Sequence, residues 1–347
     1  MKLTAYFGER SRAGGRPLAE ALLDLQVDHD IRASVLLRGA QGFGAKHLQR
    51  SDRLLTLSED LPLVSEAIDA PARVQALWED VLALGGGALV TLERARFGAA
   101  QASENKQRGG DEVKLTVLLG RHQRVARTPA FVAVCDVLRE HGFDGATVLL
   151  GVDGTIAGER HRARFFGRNV GVPLAIVSVG GAAQTAAATA ALERLLPDPL
   201  LVLERVRVCK RDGRELQPPH TLLDAKNSAL PDVRQKLTIV VSEAAHHLGR
   251  SVYLELVGRL RAAGAAGATS LRGIWGFHGD YDPHGDRLLA LRRHVPVLTV
   301  AIGTPRQIAA VYPIVDELTG ERGLVTSELL AAPSAGLATG AEVAPAA

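Results

Sequence analysis

Short runs of apolar and β-branched residues alternate along this chain with longer stretches carrying leucine or valine every three or four positions. The first kind predicts buried strands and the second amphipathic helices. The alternation occurs three times. "KLTAYFG", "KLTVLLG" and "KLTIVVS" open the three copies, with Lys2, Lys114 and Lys236 at offsets of 112 and 122 residues. Each is followed by a helical stretch ("RPLAEALLDLQVDHD", "RTPAFVAVCDVLREHG", "RSVYLELVGRLRAAG") and a second strand ("ASVLLRG", "ATVLLG", "ATSLRG"). A glycine-bearing loop leads to a third strand ("LPLVSEAI", "VPLAIVSV", "VPVLTVAI"). A second helix and a last strand ("ALVTLERARF", "LLVLERVRV", "GLVTSELL") close each unit.

The order β-α-β-β-α-β predicts an α+β chain of three ferredoxin-like repeats, each a four-stranded antiparallel sheet with two helices on one face. Strands such as "PLAIVSV" are apolar on both faces, so the face without helices also needs burial. Three sheets around a common axis would bury all three. The expected boundaries are repeat 1 at 1–97, a linker at 98–112, repeat 2 at 113–208, a linker at 209–234, repeat 3 at 235–332 and a disordered tail at 333–347. The first linker is polar and glycine-rich. The second is longer, bears prolines and is expected to wrap along a neighbour.

Composition narrows the class. The chain has 347 residues, 46% hydrophobic and 23% charged, which suits a soluble globular protein. A net charge of +3, spread over scattered arginines, permits an anionic ligand and does not call for nucleic acid. Cys135 and Cys209 are far apart and make no disulfide framework, and the first residues lack the apolar run of a signal peptide. A reducing, cytoplasmic setting is the expectation.

"VLLRGAQGFGAKHLQ", "LLTLSEDLPLV", "GALVTLERARF" and "ATSLRGIWGFHG" resemble the DUF190 family, whose members are similar to PII signalling proteins. Counted as three copies, the resemblance covers about 300 of the 347 residues, strongest in copy one and weakest in copy two. It implies a PII-like pseudo-trimer within one monomeric chain. It further implies adenine nucleotides or similar effectors in the clefts between repeats, and long loops between strands two and three that engage a partner, often a membrane transporter. The phosphate-holding loop of nucleotide-binding PII proteins is short here ("LALGGGALV", "LLPDPLL", "LTGERGLV") and lacks its lysine.

Candidate anion-binding residues follow from comparing the copies. Arg16, Arg127 and Arg250 are read as one repeated position at the start of the first helix. A cation is disfavoured there by the helix dipole, so a ligand anion or a facing carboxylate should be near. Arg38 and Arg272 precede the loop glycines in copies one and three, where copy two has Leu150. Gly39/Gly42, Gly151/Gly154 and Gly273/Gly276 keep a G-x-x-G spacing, with Gly44 following in copy one. A tight turn needing positive φ is favoured over a direct phosphate cradle as the cause of that spacing. In copy three, "FHGDYDPHGD" places His278, Asp280, Asp282 and His284 as weak candidate metal ligands. Trp275, Phe277 and Tyr281 make the same loop the expected partner-contact surface. Glu93, Glu204 and Glu328 recur late in the last strands and read as salt-bridge partners, and no catalytic constellation emerges. The leading expectation is a non-catalytic regulatory or sensor protein; the alternatives are a metal-dependent enzyme using the third loop and a ligand-free interaction module.

Overall fold

The computed structural model describes residues 1–44, 50–51, 60–98, 112–162, 171–228, 230, 232–279, 284–285 and 295–332. The architecture is mixed α+β and strand-rich, built from three repeats of one element order. Repeat 1 runs Lys2–Gly8, Leu18–Asp28, Ala33–Arg38, Pro62–Ile68, Pro71–Leu84 and Leu89–Glu93. Repeat 2 runs Glu112–Gly120, Ala130–Glu140, Gly145–Asp153, Pro173–Gly180, Ala182–Leu195 and Leu200–Arg211. Repeat 3 runs Val233–Ser242, Val252–Ala262, Gly267–Arg272, Pro296–Gly303, Pro305–Thr319 and Leu324–Ala331. In every repeat the first strand lies antiparallel between the third and fourth, and the second strand pairs with the third.

Strand alternation divides the side chains between two kinds of core. Leu3, Ala5 and Phe7 face the helices of repeat 1, packed with Leu18, Leu22 and Leu77. Leu115, Val117 and Leu119 do the same in repeat 2, and Leu237, Ile239 and Val241 in repeat 3. The opposite faces meet in a fourth cluster that draws on all three repeats, including Val35 and Val64, Leu118 and Ala175, Leu298 and Val300. The doubly apolar strands are thus buried on both sides, as their sequence requires.

The second helices start where their sequence directs. Pro71 and Pro305 occupy the first helical turn, where a missing N–H costs nothing. Thr304 accepts from the Gln307 N–H at 3.2 Å, while the Gln307 side chain accepts from the Thr304 N–H at 2.8 Å.

Beyond its second strand each repeat reaches across to another. Gln41–Phe43 pairs antiparallel with Gly267–Arg272 of repeat 3, Gly42 standing opposite Thr269. Gly151 and Asp153 pair across a bulge with Leu37 and Leu36 of repeat 1. Trp275–His278 pairs with the second strand of repeat 2, Phe277 opposite Ala146. The joints run from repeat 1 to 3, from 3 to 2 and from 2 to 1, which closes a circle. Phe43 enters the helix-side core of repeat 3, and Phe277 enters that of repeat 2. At the equivalent position repeat 2 has Thr155, whose hydroxyl donates to the Ile31 carbonyl at 3.1 Å and lies 3.0 Å from the Ser34 hydroxyl.

These joints give the G-x-x-G spacing a cause other than a turn. A Cβ on Gly42 would lie 2.6 Å from the Ala268 carbonyl, and one on Gly39 would lie 2.7 Å from Pro62. Gly151 and Gly273 abut the carbonyls of Pro173 and Pro296, while Gly154 and Gly276 press on the backbone of Ser34 and Ala146 in the next repeat. Only Gly154 and Gly276 of this set have positive φ, at 151° and 154°. The glycines let two backbones approach closely. Gly44, by contrast, has open space around it.

The second connector does follow a neighbour. The His220 N–H donates to Ser327 of repeat 3 at 3.2 Å. The first connector between residues 99 and 111, and the tail from 333, lie outside the described residues. Replacing Gly42 by alanine is expected to cost about 1–3 kcal/mol, the usual range for overpacking. Gly44→Ala should fall within about 0.5 kcal/mol of the parent, as surface changes do. Denaturant unfolding of the two variants side by side checks this.

Candidate functional site

The arginines at the start of the first helices do not form one threefold-repeated set. Each first helix is preceded by a two-residue hairpin: Arg12–Ala13 with Arg16–Pro17, Arg124–Val125 with Thr128–Pro129, His246–His247 with Arg250–Ser251. Arg16 and Arg250 occupy the same hairpin position, but repeat 2 places Thr128 there. Arg127 sits one residue earlier, in the turn, where its carbonyl accepts from Arg124. The supposed threefold arginine is therefore twofold.

The remaining arginines face carboxylates. Arg16 lies 2.5 Å from Asp24, and Arg250 lies 3.2 Å from Glu255. At the end of the second strand, Arg38 pairs with Glu9 at 2.9 Å and Arg272 with Glu243 at 3.1 Å. Repeat 2 has lost both members of that pair, with Leu150 and Arg121 in their places. Arg38 and Arg272 thus mark two corresponding ion pairs at the base of two loops.

The loop of repeat 3 departs from expectation. Phe277 is buried, and Trp275 is half-buried against Phe131 of repeat 2, ring centroids 6.0 Å apart in an edge-on arrangement. These rings complete a neighbour's core rather than standing fully exposed. Tyr281, Asp280 and Asp282 lie outside the described residues, as does the side chain of His284. His278 is engaged by Asp212 at 3.0 Å.

The structure does bring together six charged side chains at the centre of the molecule. Lys2 lies 2.8 Å from Glu93 and 2.7 Å from Glu204. Lys114 lies 3.2 Å from Glu204 and 3.1 Å from Glu328. Lys236 lies 3.1 Å from Glu328 and 2.6 Å from Glu93. Every repeat contributes one lysine from its first strand and one glutamate from its last, and the six alternate in a closed ring. All six are buried. The carboxylates approach one another within 4.8 Å, close enough to suggest a metal centre. Lysine ammonium groups already stand between them and bring the ring to zero charge, so a cation has no vacant place.

Burial works against the charge of Lys2, but Glu204, Glu66 and Glu93 outweigh it and hold its pKa well above the ordinary lysine value. Lys236 is raised in the same way against burial, by Glu328 and Glu93. For Glu93, burial opposes ionisation, and Lys2, Lys236 and Lys114 overcome it, leaving its pKa well below the usual range. Glu328 is lowered likewise against burial, by Lys114 and Lys236. Glu204 goes the other way: burial raises its pKa, and Lys114 and Lys2 offset this only in part. Its surroundings differ. Glu93 accepts from the hydroxyls of Thr4 at 3.0 Å and Thr91 at 3.3 Å, whereas Val202 stands in repeat 2 where repeat 1 has Thr91.

Between repeats 2 and 3 a cavity of about 30 Å³ lies beside the ring, lined by Lys114, Val240, Leu298 and Thr326, with Arg211 and His278 also in its wall. That is water-sized and too small for a nucleotide. The strand position of Val240 is filled by Tyr6 in repeat 1 and Leu118 in repeat 2. The smallest of the three side chains lines this cavity. Cys135 and Cys209 are buried, unpaired thiols whose pKa values are pushed up to about 12 by burial, so neither is poised as a nucleophile. Among the described residues no helix is long and apolar enough to cross a membrane.

The glutamates were legible as salt-bridge partners; their lysines were visible only as repeat markers. Removing one ring member strands an opposite charge in the interior. Lys236→Met should therefore cost about 3–5 kcal/mol. Adding Glu93→Leu should return part of that loss, because two lysines and two glutamates then remain in an alternating, neutral row. The pH dependence follows from the shifts. The lowered Glu93 and Glu328 contribute fully above about pH 4.3, the unfolded glutamate value, and lose it as pH falls through their folded values. The raised Lys2 and Lys236 contribute fully below about pH 10.4 and lose it as pH rises through theirs. The raised Glu204 opposes the acid-side loss in part. Urea unfolding across pH should show a broad plateau between those limits, with smaller losses on either side in the double variant, which lacks one lowered glutamate and one raised lysine.

The family model of DUF190, described as an uncharacterized ACR, matches residues 1–97, 112–208 and 234–331. These are the three stretches whose first and last strands carry the lysines and glutamates of the ring. The chain therefore belongs to the DUF190 family, which it contains three times in tandem.

Proposed function

We propose that this chain is a non-catalytic, PII-like regulatory protein: three ferredoxin-like repeats closed into a pseudo-trimer within one polypeptide. It takes a small anionic effector, an adenine nucleotide being the leading class, between repeats. It signals through the loops between second and third strands to a partner protein, for which the family resemblance suggests a membrane transporter. The cytoplasm is the matching compartment. The observation that carries this reading is the circle of joints. Each loop begins from a segment clamped on another repeat. A ligand wedged at a joint would shift a loop relative to the repeat it rests on, which couples binding to loop position.

Arg38 and Arg272 are the groups for the anion. Their partners Glu9 and Glu243 act as internal stand-ins that an effector displaces. A phosphate carries more charge and more acceptor oxygens than a carboxylate, which favours the exchange. The loss of both members in repeat 2 leaves two competent positions out of three.

Calorimetric titration of the full chain with ATP, ADP, AMP and cyclic AMP tests this. The expected result is saturable binding of at least one nucleotide, weakened about tenfold or more by Arg38→Ala or Arg272→Ala, as for a lost charge-assisted hydrogen bond. Absence of heat at about 10 mM, where even millimolar affinity would be evident, would sink the reading. So would binding that survives both substitutions together.

A further inference from the structure

Each repeat passes from its first strand into its first helix through the same hairpin, and the three hairpins differ in charge. Strand pairing fixes the correspondence: Gly8 stands opposite Pro62, Gly120 opposite Pro173 and Ser242 opposite Pro296. Counting on from there, Glu9, Arg12 and Arg16 of repeat 1 match Arg121, Arg124 and Thr128 of repeat 2. In repeat 3 the same places hold Glu243, His246 and Arg250.

In repeats 1 and 3 the chain's own carboxylates meet the cations of this corner. Glu9 holds Arg38 at 2.9 Å, and Glu243 holds Arg272 at 3.1 Å. Asp24 meets Arg16 at 2.5 Å, and Glu255 meets Arg250 at 3.2 Å. Asp60 accepts from the Arg10 N–H at 2.7 Å, and Glu317, in the last turn of its helix, reaches His247 at 3.5 Å. Repeat 2 keeps cations here and loses acids. Arg121 stands in place of Glu9, Gly171 in place of Asp60, Ala133 in place of Glu255 and Arg194 in place of Glu317. Arg127 adds a further charge where repeat 1 has Gly15.

Arg121, Arg124, Arg127 and Arg194 are all exposed, and among the described residues no carboxylate pairs with any of them. Arg124 donates to the Arg127 carbonyl, closing the turn as Arg12 does on the Gly15 carbonyl at 2.8 Å. Asp136, which matches Asp24, is the acid that remains, and Thr128 has replaced the arginine that would face it. The Arg121 N–H donates to the Val172 carbonyl at 2.8 Å, which fixes the hairpin at the foot of the repeat 2 loop. That stretch of loop brings no acid of its own, since none occurs between His161 and Pro173.

We propose that the cationic hairpin of repeat 2 is a docking surface for an acidic segment of a partner protein, a short run of Asp and Glu side chains. Carboxylates fill this corner wherever the chain supplies them, so the missing ones define the partner's chemistry. Arginine is always charged and takes a carboxylate through two parallel N–H groups. Four arginines against one acid attract a run of acids over distance and hold it through several exposed pairs, each weak alone. An anionic membrane fits less well, because no large apolar side chain is exposed between Arg121 and Thr128 to enter it. This surface stands without the nucleotide reading, which uses Arg38 and Arg272.

Fluorescence anisotropy of a labelled hexaglutamate peptide, titrated with the full chain, tests this. Hexaglutamine with the same label is the blank. The salt is set near about 0.1 M, where charges more than about 10 Å away are largely screened. Saturable binding is expected for hexaglutamate alone. Replacing Arg121, Arg124 and Arg127 together by alanine should weaken it about tenfold or more, as several exposed ion pairs are lost at once. Arg121→Glu, which restores the acid of the other repeats, should weaken it more than Arg121→Ala. Arg12→Ala combined with Arg16→Ala, in the matching hairpin of repeat 1, should leave it within about twofold. Arg38→Ala should leave it equally unchanged, whether or not nucleotides bind. The proposal is overturned by no saturation at about 1 mM protein, or by equal losses in the two hairpin variants when their melting is unchanged. It is also overturned if anionic vesicles or a single-stranded oligonucleotide bind through these arginines while hexaglutamate does not.

Discussion

The alternating ring of three lysines and three glutamates is the constraint around which this molecule is arranged. Charges of this kind are costly to bury, and each is tolerable only with its two neighbours in place. Those neighbours come from different repeats. Lys2 needs Glu204, Lys114 needs Glu328, and Lys236 needs Glu93. A repeat that folded alone would expose its third of the ring and the apolar face beside it. The ring therefore favours one closed arrangement over slipped or open ones, in the way polar groups in an apolar seam can fix register. Apolar packing supplies most of the driving force but is less selective, since Leu, Val and Ala recur at equivalent places in all three repeats.

The joints depend on that centre. Once the strands are drawn together there, the segments beyond the second strands are brought against the next repeat. Glycine at 42, 154 and 276 then permits backbone contact. Aromatic plugs at Phe43 and Phe277 seal two joints through apolar burial, while Thr155 seals the third through hydrogen bonds. The third is also the joint tied by Arg160, bridging Asp153 and Asp24. One geometry is held in three chemically different ways.

What the sequence revealed follows the range of the interaction. Element order, strand faces and the threefold repetition are local patterns of apolar residues, and these were readable. The partners of Lys2 were not, because Glu93 and Glu204 are far away in sequence and no local signal joins them. The misplacement of Arg127 has a similar origin. Helical periodicity marks a first helix only to within a residue or two, and the hairpin pairing that puts Thr128 level with Arg16 carries no apolar pattern. Phe277 read as exposed because it is flanked by glycines and followed by aspartates. Its burial comes from a core belonging to another repeat. The G-x-x-G spacing was visible, but sequence does not separate a glycine needed for its φ from one needed for its missing Cβ.

Covalent linkage explains why such differences can accumulate. In an assembly of identical subunits, any change at a joint appears three times, and a group unsuited to one place is unsuited to all. In one chain the positions are free to part. Val202 replaces a threonine beside Glu204 alone, Leu150 and Arg121 remove an ion pair from repeat 2 alone, and Ser251 and Glu255 appear in repeat 3 alone. The ring resists this drift, since changing one member would leave two partners unsatisfied. Conservation of charge at the centre and divergence at the periphery are thus two consequences of one arrangement: the centre is shared by all three repeats, while each joint concerns only two.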